Sequence, residues 1–368
     1  MYSLSIKKLL LGCAMLWPAI AGAQQVPNDD SLDIMIGQMI MMGIEDRKAL
    51  QPSDPLIQEL KQGKLGGVML YAKNFSTTNK PDSLKQLIKS LQSAAAVPLF
   101  VAIDEEGGRV HRLKEKDGFV AMPAASHLGK INNLDSTRYY NKRLATKLHE
   151  VGFNVNFAPS VDLALNLNNT VIVLSDRSYS DDPLQAARHA RVAIKAHRES
   201  GVTAVAKHFP GHGSSDKDSH KWLVDVTPTW RDIELQPFQE LINDSTIEGI
   251  MMAHIINQKW DNRLLPATLS DSVINYLLRD KMGYDGVVFT DDMQMDAIQL
   301  YYGLEKGVEL AINAGADVLM FANTTRLRTH YVAASQMHSM IKKLVAEGKV
   351  PKARIAQSYR RIMALKRL

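Results

Sequence analysis

Eight short apolar runs, each followed by a longer amphipathic stretch, constrain the fold of this 368-residue chain more than any other feature. The runs are QMIMMGI (38–44), GGVMLYA (66–72), LFVAIDE (99–105), NVNFAPSVD (154–162), AVAKHFP (204–210), GIMMAHI (249–255), GVVFTDD (286–292) and DVLMFA (317–322). A strand buried on both faces needs near-continuous apolar character, which is the mark of a parallel sheet. Between the runs, PDSLKQLIKSLQSAAA, DDPLQAARHARVAIKAHRES and SDSVINYLLRDK repeat apolar residues at three- and four-residue spacing, with Asp or Ser placed to cap several starts. Eight β-then-α units predict an α/β fold, a single-domain (β/α)8 barrel of the TIM type. A doubly wound open sheet is the alternative, but no glycine-rich phosphate fingerprint follows the first run. Met39, Met41, Met42, Met251 and Met252 sit at strand spacing and are expected to fill the barrel rather than hold a cofactor or metal.

Polar residues gather at one end of these runs. Asp104, Asp162, Lys207 with His208, His254 and Asp291 each stand at or just past a predicted strand's C-terminal end. In a parallel barrel those ends converge on one face, where active sites form. Residues distant in sequence are therefore expected to share a pocket.

The start of the chain, MYSLSIKKLLLGCAMLWPAIAGAQQ, has the order of a secretory signal peptide. Lys7 and Lys8 precede an apolar run from Leu9 to Ala21, and Ala21-Gly22-Ala23 supplies a small-x-small cleavage pattern. That run is shorter than the roughly 20 residues of a membrane-spanning helix. The expectation is a leader over 1–23 and a catalytic barrel over 24–368, exported to the periplasm or secreted. Cys13 in Leu-Leu-Gly-Cys leaves a lipoprotein reading open. It is the only cysteine, so the mature chain would rely on a large core rather than on disulfides. The net charge of +5 would fall to 5 − 2 = +3 once Lys7 and Lys8 leave with the leader, which is too mild to argue for nucleic-acid binding. The basic C-terminal RIAQSYRRIMALKRL reads as a closing barrel helix, with membrane contact as the alternative. No cofactor and no stable membrane insertion are implied, and a monomer is expected.

KHFPGHGSSDKDSH (207–220) concentrates His208, His212, Asp218 and His220 in one stretch. Pro210, Gly211 and Gly213 interrupt any regular element, so an exposed loop is expected. Three readings compete: solvated structural histidines, a zinc site, or a proton relay. Against zinc, Pro210 and Gly211 interrupt the helical spacing that a His-x3-His site uses. In the relay, Asp218 would fix the tautomer of His220 and leave the other ring nitrogen to exchange a proton near neutral pH. Asp291 could serve as a nucleophile at the mouth of the barrel, or Asp291 and Asp292 could simply cap the next helix. Lys207 beside Asp291 would keep that carboxylate ionised.

At these residues the sequence resembles glycoside hydrolase family 3, in its single-domain β-N-acetylglucosaminidase branch. KHFPGHGSSDKDSH matches the branch's loop signature, and β-glucosidase relatives lack its Asp-Ser/Thr-His tail. IDEEGGRVHR (103–112), SDRSYSDDP (175–183) and PATLSDSVINYLLRDKMGYDGVVFTDDMQM are similar to further family segments. The resemblance runs from about Leu32 to the C-terminus. It implies Asp291 as nucleophile and His220 as general acid/base oriented by Asp218. It also implies that Asp104, Arg112, Arg177, Lys207 and His208 hold the terminal sugar, while Arg109 is left between a binding and a structural role. Tyr179 and Ser180 stand where the family usually has Phe and Gly. The implied partner is a small carbohydrate, and the implied reaction is retaining hydrolysis of a terminal β-linked N-acetylglucosamine from peptidoglycan fragments or chitin-type oligomers. Phosphate is open as an acceptor in place of water, because a neutral imidazole base would not repel it.

Overall fold

The computed structural model describes residues 29–76, 80–217, 223–324 and 331–367. Every predicted apolar run contains a strand of one closed parallel barrel: β1 (Ile40–Gly43), β2 (Gly67–Met69), β3 (Phe100–Ile103), β4 (Val155–Asn156), β5 (Thr203–Phe209), β6 (Gly249–Met252), β7 (Val287–Asp292) and β8 (Val318–Phe321). Each strand pairs with its neighbours in sequence, and β8 closes on β1 with Ile40 opposite Leu319. β4 is shorter than its apolar run because the Asn156 side chain takes over the pairing. Its carboxamide accepts from Glu105 N and donates to Glu105 O, both at 3.0 Å. Beyond β4 the chain stays beside β5 through Lys207 N to Pro159 O at 3.1 Å and Val161 N to Lys207 O at 2.8 Å. That path brings Asp162 alongside His208.

Two of the three named helical stretches form the α-helices their patterns predict, while SDSVINYLLRDK winds more widely, as a π-helix over Ser272–Lys281. Asp182 accepts from Leu184 N and Pro183 opens helix Pro183–Arg198, which buries Ala186, Ala190 and Ile194. Burial of such faces, not propensity, supplies most helix stability. The helix Lys80–Ala94 buries Leu84, Leu87, Ile88 and Leu91. The five methionines named above are all buried, and Phe289 inside the barrel meets Phe100 and Phe157 at ring separations of 5.9 and 5.5 Å. The C-terminal run forms helix Lys352–Lys366, the predicted closing helix. At its end, Lys366 Nζ donates to Gln38 Oε1, Gly66 O and Pro98 O at 2.6 to 2.8 Å, under the starts of β1, β2 and β3. The same ammonium lies 4.6 Å from the centre of the Phe100 ring. Among the described residues no helix is long and apolar enough to cross a membrane. The leader predicted over 1–23 lies outside the described residues.

Asp317, fully buried just before β8, joins this lower end together. It accepts from Arg279 Nη2 and Arg354 Nη2 at 2.8 Å, from Ser358 Oγ at 2.7 Å and from Val288 N at 3.0 Å. Breaking a buried pair by removing one partner strands the other charge in a dry setting. Asp317→Asn is therefore expected to lower the unfolding free energy by about 3–5 kcal/mol in urea titrations.

Candidate active site

The C-terminal end of the barrel carries an alternating chain of charges. Lys207, 2% exposed on β5, donates to Asp104 Oδ1 at 2.8 Å and to Glu106 Oε1 at 2.7 Å. Glu106 in turn receives Arg177 through two bonds of 2.9 and 2.8 Å. Arg177 Nη2 lies 3.2 Å from His208 Nε2, and His208 Nδ1 lies 2.7 Å from Asp162 Oδ2. A guanidinium only donates, so His208 Nε2 accepts and its proton sits on Nδ1, facing Asp162. Four of the five predicted sugar-holding residues, Asp104, Lys207, Arg177 and His208, thus form one connected array. Lys207 pairs with Asp104 and Glu106 rather than with Asp291, which corrects the sequence reading. β3 and β7 are each one strand removed from β5, so the choice rests on the path of the chain just past β3, where Asp104 and Glu106 both reach the ammonium.

These contacts set the charges. Burial alone would raise the Glu106 carboxyl, but Arg177 and then Lys207 bring it down to about 2. Burial alone would lower the Lys207 ammonium, and Asp104 and Glu106 more than reverse this. Burial also works against charge on Asp162, yet the facing His208 ring and the His212 N–H hold it below the ordinary carboxylate range.

The fifth residue, Arg112, stands in a loop folded around Glu105, seven residues earlier in the chain. That buried carboxylate bonds the His111 ring and accepts from Arg112 N at 2.7 Å and Leu113 N at 3.0 Å. Arg112 Nε is buried without a hydrogen-bond partner among the described residues. Arg109 is mostly exposed and reaches Asp176 at 3.5 Å, a structural contact at the rim.

Asp291 and Asp292 end β7 and make different contacts. Asp292 Oδ1 accepts from Gln294 N at 3.0 Å and Ala322 N at 2.9 Å, a capping and strand-end contact. Asp291 Oδ1 accepts from Asp292 N at 2.7 Å. Tyr71, just past β2, links this side of the barrel to the other. Burial pushes its hydroxyl well above the usual phenol value, and the charges of Asp292, Asp104 and Asp291 push it further, with Arg112 opposing them. The acids of β3 and β7 therefore face the same side chain. Sequence reasoning missed Tyr71, for which the last residues of an apolar run were the available signal, and Glu106, whose neighbour Glu105 looks identical in sequence.

The stretch after β5 is not the exposed loop expected from its glycines. His212, Ser214 and Ser215 are buried, and exposure begins at Asp216. Burial is possible because several of the loop's main-chain polar groups find partners locally. Asp162 Oδ1 accepts from His212 N at 2.8 Å, Asn169 Nδ2 donates to His212 O at 2.8 Å, and Glu234 accepts from Gly213 N and Ser214 N at 3.0 and 3.3 Å. A Cβ at Gly213 would fall 1.9 Å from Leu163 O, so glycine is required there. His212, lowered to about 4 by burial and by His208, is neutral in this setting. Asp218 and His220 lie outside the described residues. Among the described residues no cluster of three His, Cys, Asp or Glu is placed to hold a metal ion.

A closed parallel barrel with a preformed polar array at its C-terminal strand ends is the arrangement of a barrel enzyme. Residues 31–365 match the glycosyl hydrolase family 3 N-terminal domain, and the chain belongs to that family. It is 31% identical to beta-hexosaminidase A of Pseudoalteromonas piscicida, covering 95% of this chain and 62% of that protein. With the beta-hexosaminidase of Tolumonas auensis it shares 35% identity over 72% of this chain and 77% of the relative. In structure it resembles the family 3 beta-N-acetylglucosaminidase of Paenibacillus sp., with a TM-score of 0.83, 33% identity, and coverage of 91% of this chain and 62% of that one. The beta-N-acetylhexosaminidase of Beutenbergia cavernae gives a TM-score of 0.81 at 26% identity, with coverage of 92% and 98%. The chain thus spans about three fifths of some relatives and nearly all of another.

Glu234 makes the loop pH-sensitive. Burial raises its carboxyl to about 6 against the bonds from Ser214 and Arg231. A carboxyl raised on folding favours the native state below its unfolded value near 4.5, and that advantage is lost as pH rises through 6. The difference in unfolding free energy between wild type and Glu234→Gln is expected to change by about 2 kcal/mol between pH 4.5 and 7. Parallel denaturation curves would read it, and a constant difference would refute the assignment.

Proposed function

We propose that this chain is an exported, retaining exo-β-N-acetylglucosaminidase. It removes a terminal β-linked N-acetylglucosamine from peptidoglycan fragments or chitin-type oligosaccharides. The observation that carries this reading is the array Asp104–Lys207–Glu106–Arg177–His208 on the same barrel face as Asp291. The names of the sequence relatives and structural neighbours support the sugar. The leader-like start of the sequence supports export.

In this mechanism the array grips the hydroxyls of the terminal sugar, and Arg112 Nε supplies a further donor. Asp291 attacks the anomeric carbon while His220, oriented by Asp218, gives its proton to the leaving oxygen. The glycosyl–Asp291 ester is then opened by water, whose proton passes to neutral His220. The acid/base is an imidazole rather than the second carboxylate that glycosidases ordinarily use.

Turnover of 4-nitrophenyl N-acetyl-β-glucosaminide should far exceed that of the glucoside, and Asp291→Ala should reduce it by about 10⁴-fold or more. Preference for the glucoside would point to an exo-β-glucosidase, and no turnover of either to a sugar-binding protein. His220→Ala should slow disaccharides by roughly 10²–10⁴-fold and activated aryl glycosides much less. Equal slowing of both would remove His220 from protonation of the leaving group.

A further inference from the structure

His254 has no part in the steps above, yet it is fully buried two residues past β6, against the strand end that carries Asp291. Its ring Nε2 lies 3.0 Å from the main-chain carbonyl of Asp292. A carbonyl oxygen only accepts, so Nε2 carries a proton. Its Nδ1 lies 2.8 Å from Thr268 Oγ1. The Thr268 hydroxyl has one hydrogen and donates it to Ala253 O at 2.9 Å. It therefore presents a lone pair to Nδ1, which must donate as well. All three bonds coexist only when the ring holds both protons. A neutral ring would have to draw the Thr268 hydrogen away from the Ala253 carbonyl.

We propose that His254 is a buried imidazolium and a positioning residue, which fixes the peptide after Asp292 and keeps the neighbouring Asp291 carboxylate a stable anion. Among the described residues, the elements packed beside it carry the following charged groups. β7 contributes Asp291 and Asp292. β5, on the other side of β6, contributes Lys207, committed to Asp104 and Glu106, and His208, committed to Asp162. The turn Ala267–Leu269 brings no ionisable side chain, and Asp261 behind it is held by Arg263 and Ser270.

The inference rests on Asp291 as nucleophile and adds a division of labour between the two chemical steps. When water attacks the anomeric carbon of the glycosyl-enzyme, the carbon–Oδ bond breaks and its electron pair returns to Asp291, while the water proton goes to His220. A fixed positive charge nearby makes that carboxylate a better leaving group. Its benefit therefore falls on release of the sugar rather than on the first attack.

His254→Gln keeps one donor toward the Asp292 carbonyl and removes the charge. With an activated aryl N-acetylglucosaminide, kcat should fall about tenfold and KM should fall with it, because the glycosyl-enzyme accumulates. The acid limb of kcat/KM should rise by about one pH unit. A lower kcat with KM and the acid limb unmoved would reduce His254 to a packing role and overturn the proposal. Nitrogen-15 NMR of histidine-labelled wild type gives a readout independent of turnover. Two protonated ring nitrogens at neutral pH are expected for His254, and one bare nitrogen would overturn the proposal even if the variant folds poorly. Absence of glycosidase activity in the wild type would instead remove the reading of Asp291, and the NMR result would still decide the charge of the ring.

Discussion

The ammonium of Lys207, held between Asp104 and Glu106, is the contact on which the site depends. It ties the end of β5 to the loop after β3, and through Glu106 it reaches Arg177 in the long connection after β4. None of these groups could be buried alone, because an unpaired charge in a dry setting costs several kcal/mol. Together they alternate plus against minus from Asp104 to Arg177, and the neutral His208 ring links Arg177 to Asp162. An array built this way holds its geometry before a sugar arrives, which keeps down the cost of ordering side chains on binding.

The turn after β5 extends the same logic to the backbone. Buried loops are uncommon because their N–H and C=O groups need partners. Here Asp162, Asn169 and Glu234 provide those partners from three separate segments. Asp162 serves twice, since one oxygen orients His208 and the other receives the main chain at His212. Ring orientation and loop position are thereby coupled through a single carboxylate. A small parallel pairing of Val224–Asp225 with Ile255–Ile256 is backed by Trp230 against Trp260.

Much of this was legible in the sequence because hydrophobic burial is a local property. Eight apolar runs gave eight strands, and the polar residue ending a run, such as Asp104 or Asp291, proved to mark the C-terminal face. Pairing between side chains was less legible. Glu105 and Glu106 are adjacent and chemically alike, yet one folds its own loop through His111 and the other receives Arg177 from 71 residues away. The placement of Lys207 beside Asp291 failed for the same reason, since the acids past β3 and those on β7 are equally near β5 in strand order and only the folded loop shows which ones the ammonium meets. The glycines of the 211–213 turn read as exposure, whereas Gly213 is needed because Leu163 O packs where a Cβ would stand.

The two ends of the barrel carry separate electrostatic systems. Asp317 with its arginines, and Lys366 beneath β1 to β3, secure the lower end. The array around Lys207 occupies the upper one, and Phe100, Phe157 and Phe289 pack between them. An apolar layer of that kind insulates closure from recognition, so mutational libraries confined to the rim can explore new acceptors without drawing on the reserve that keeps the cylinder shut.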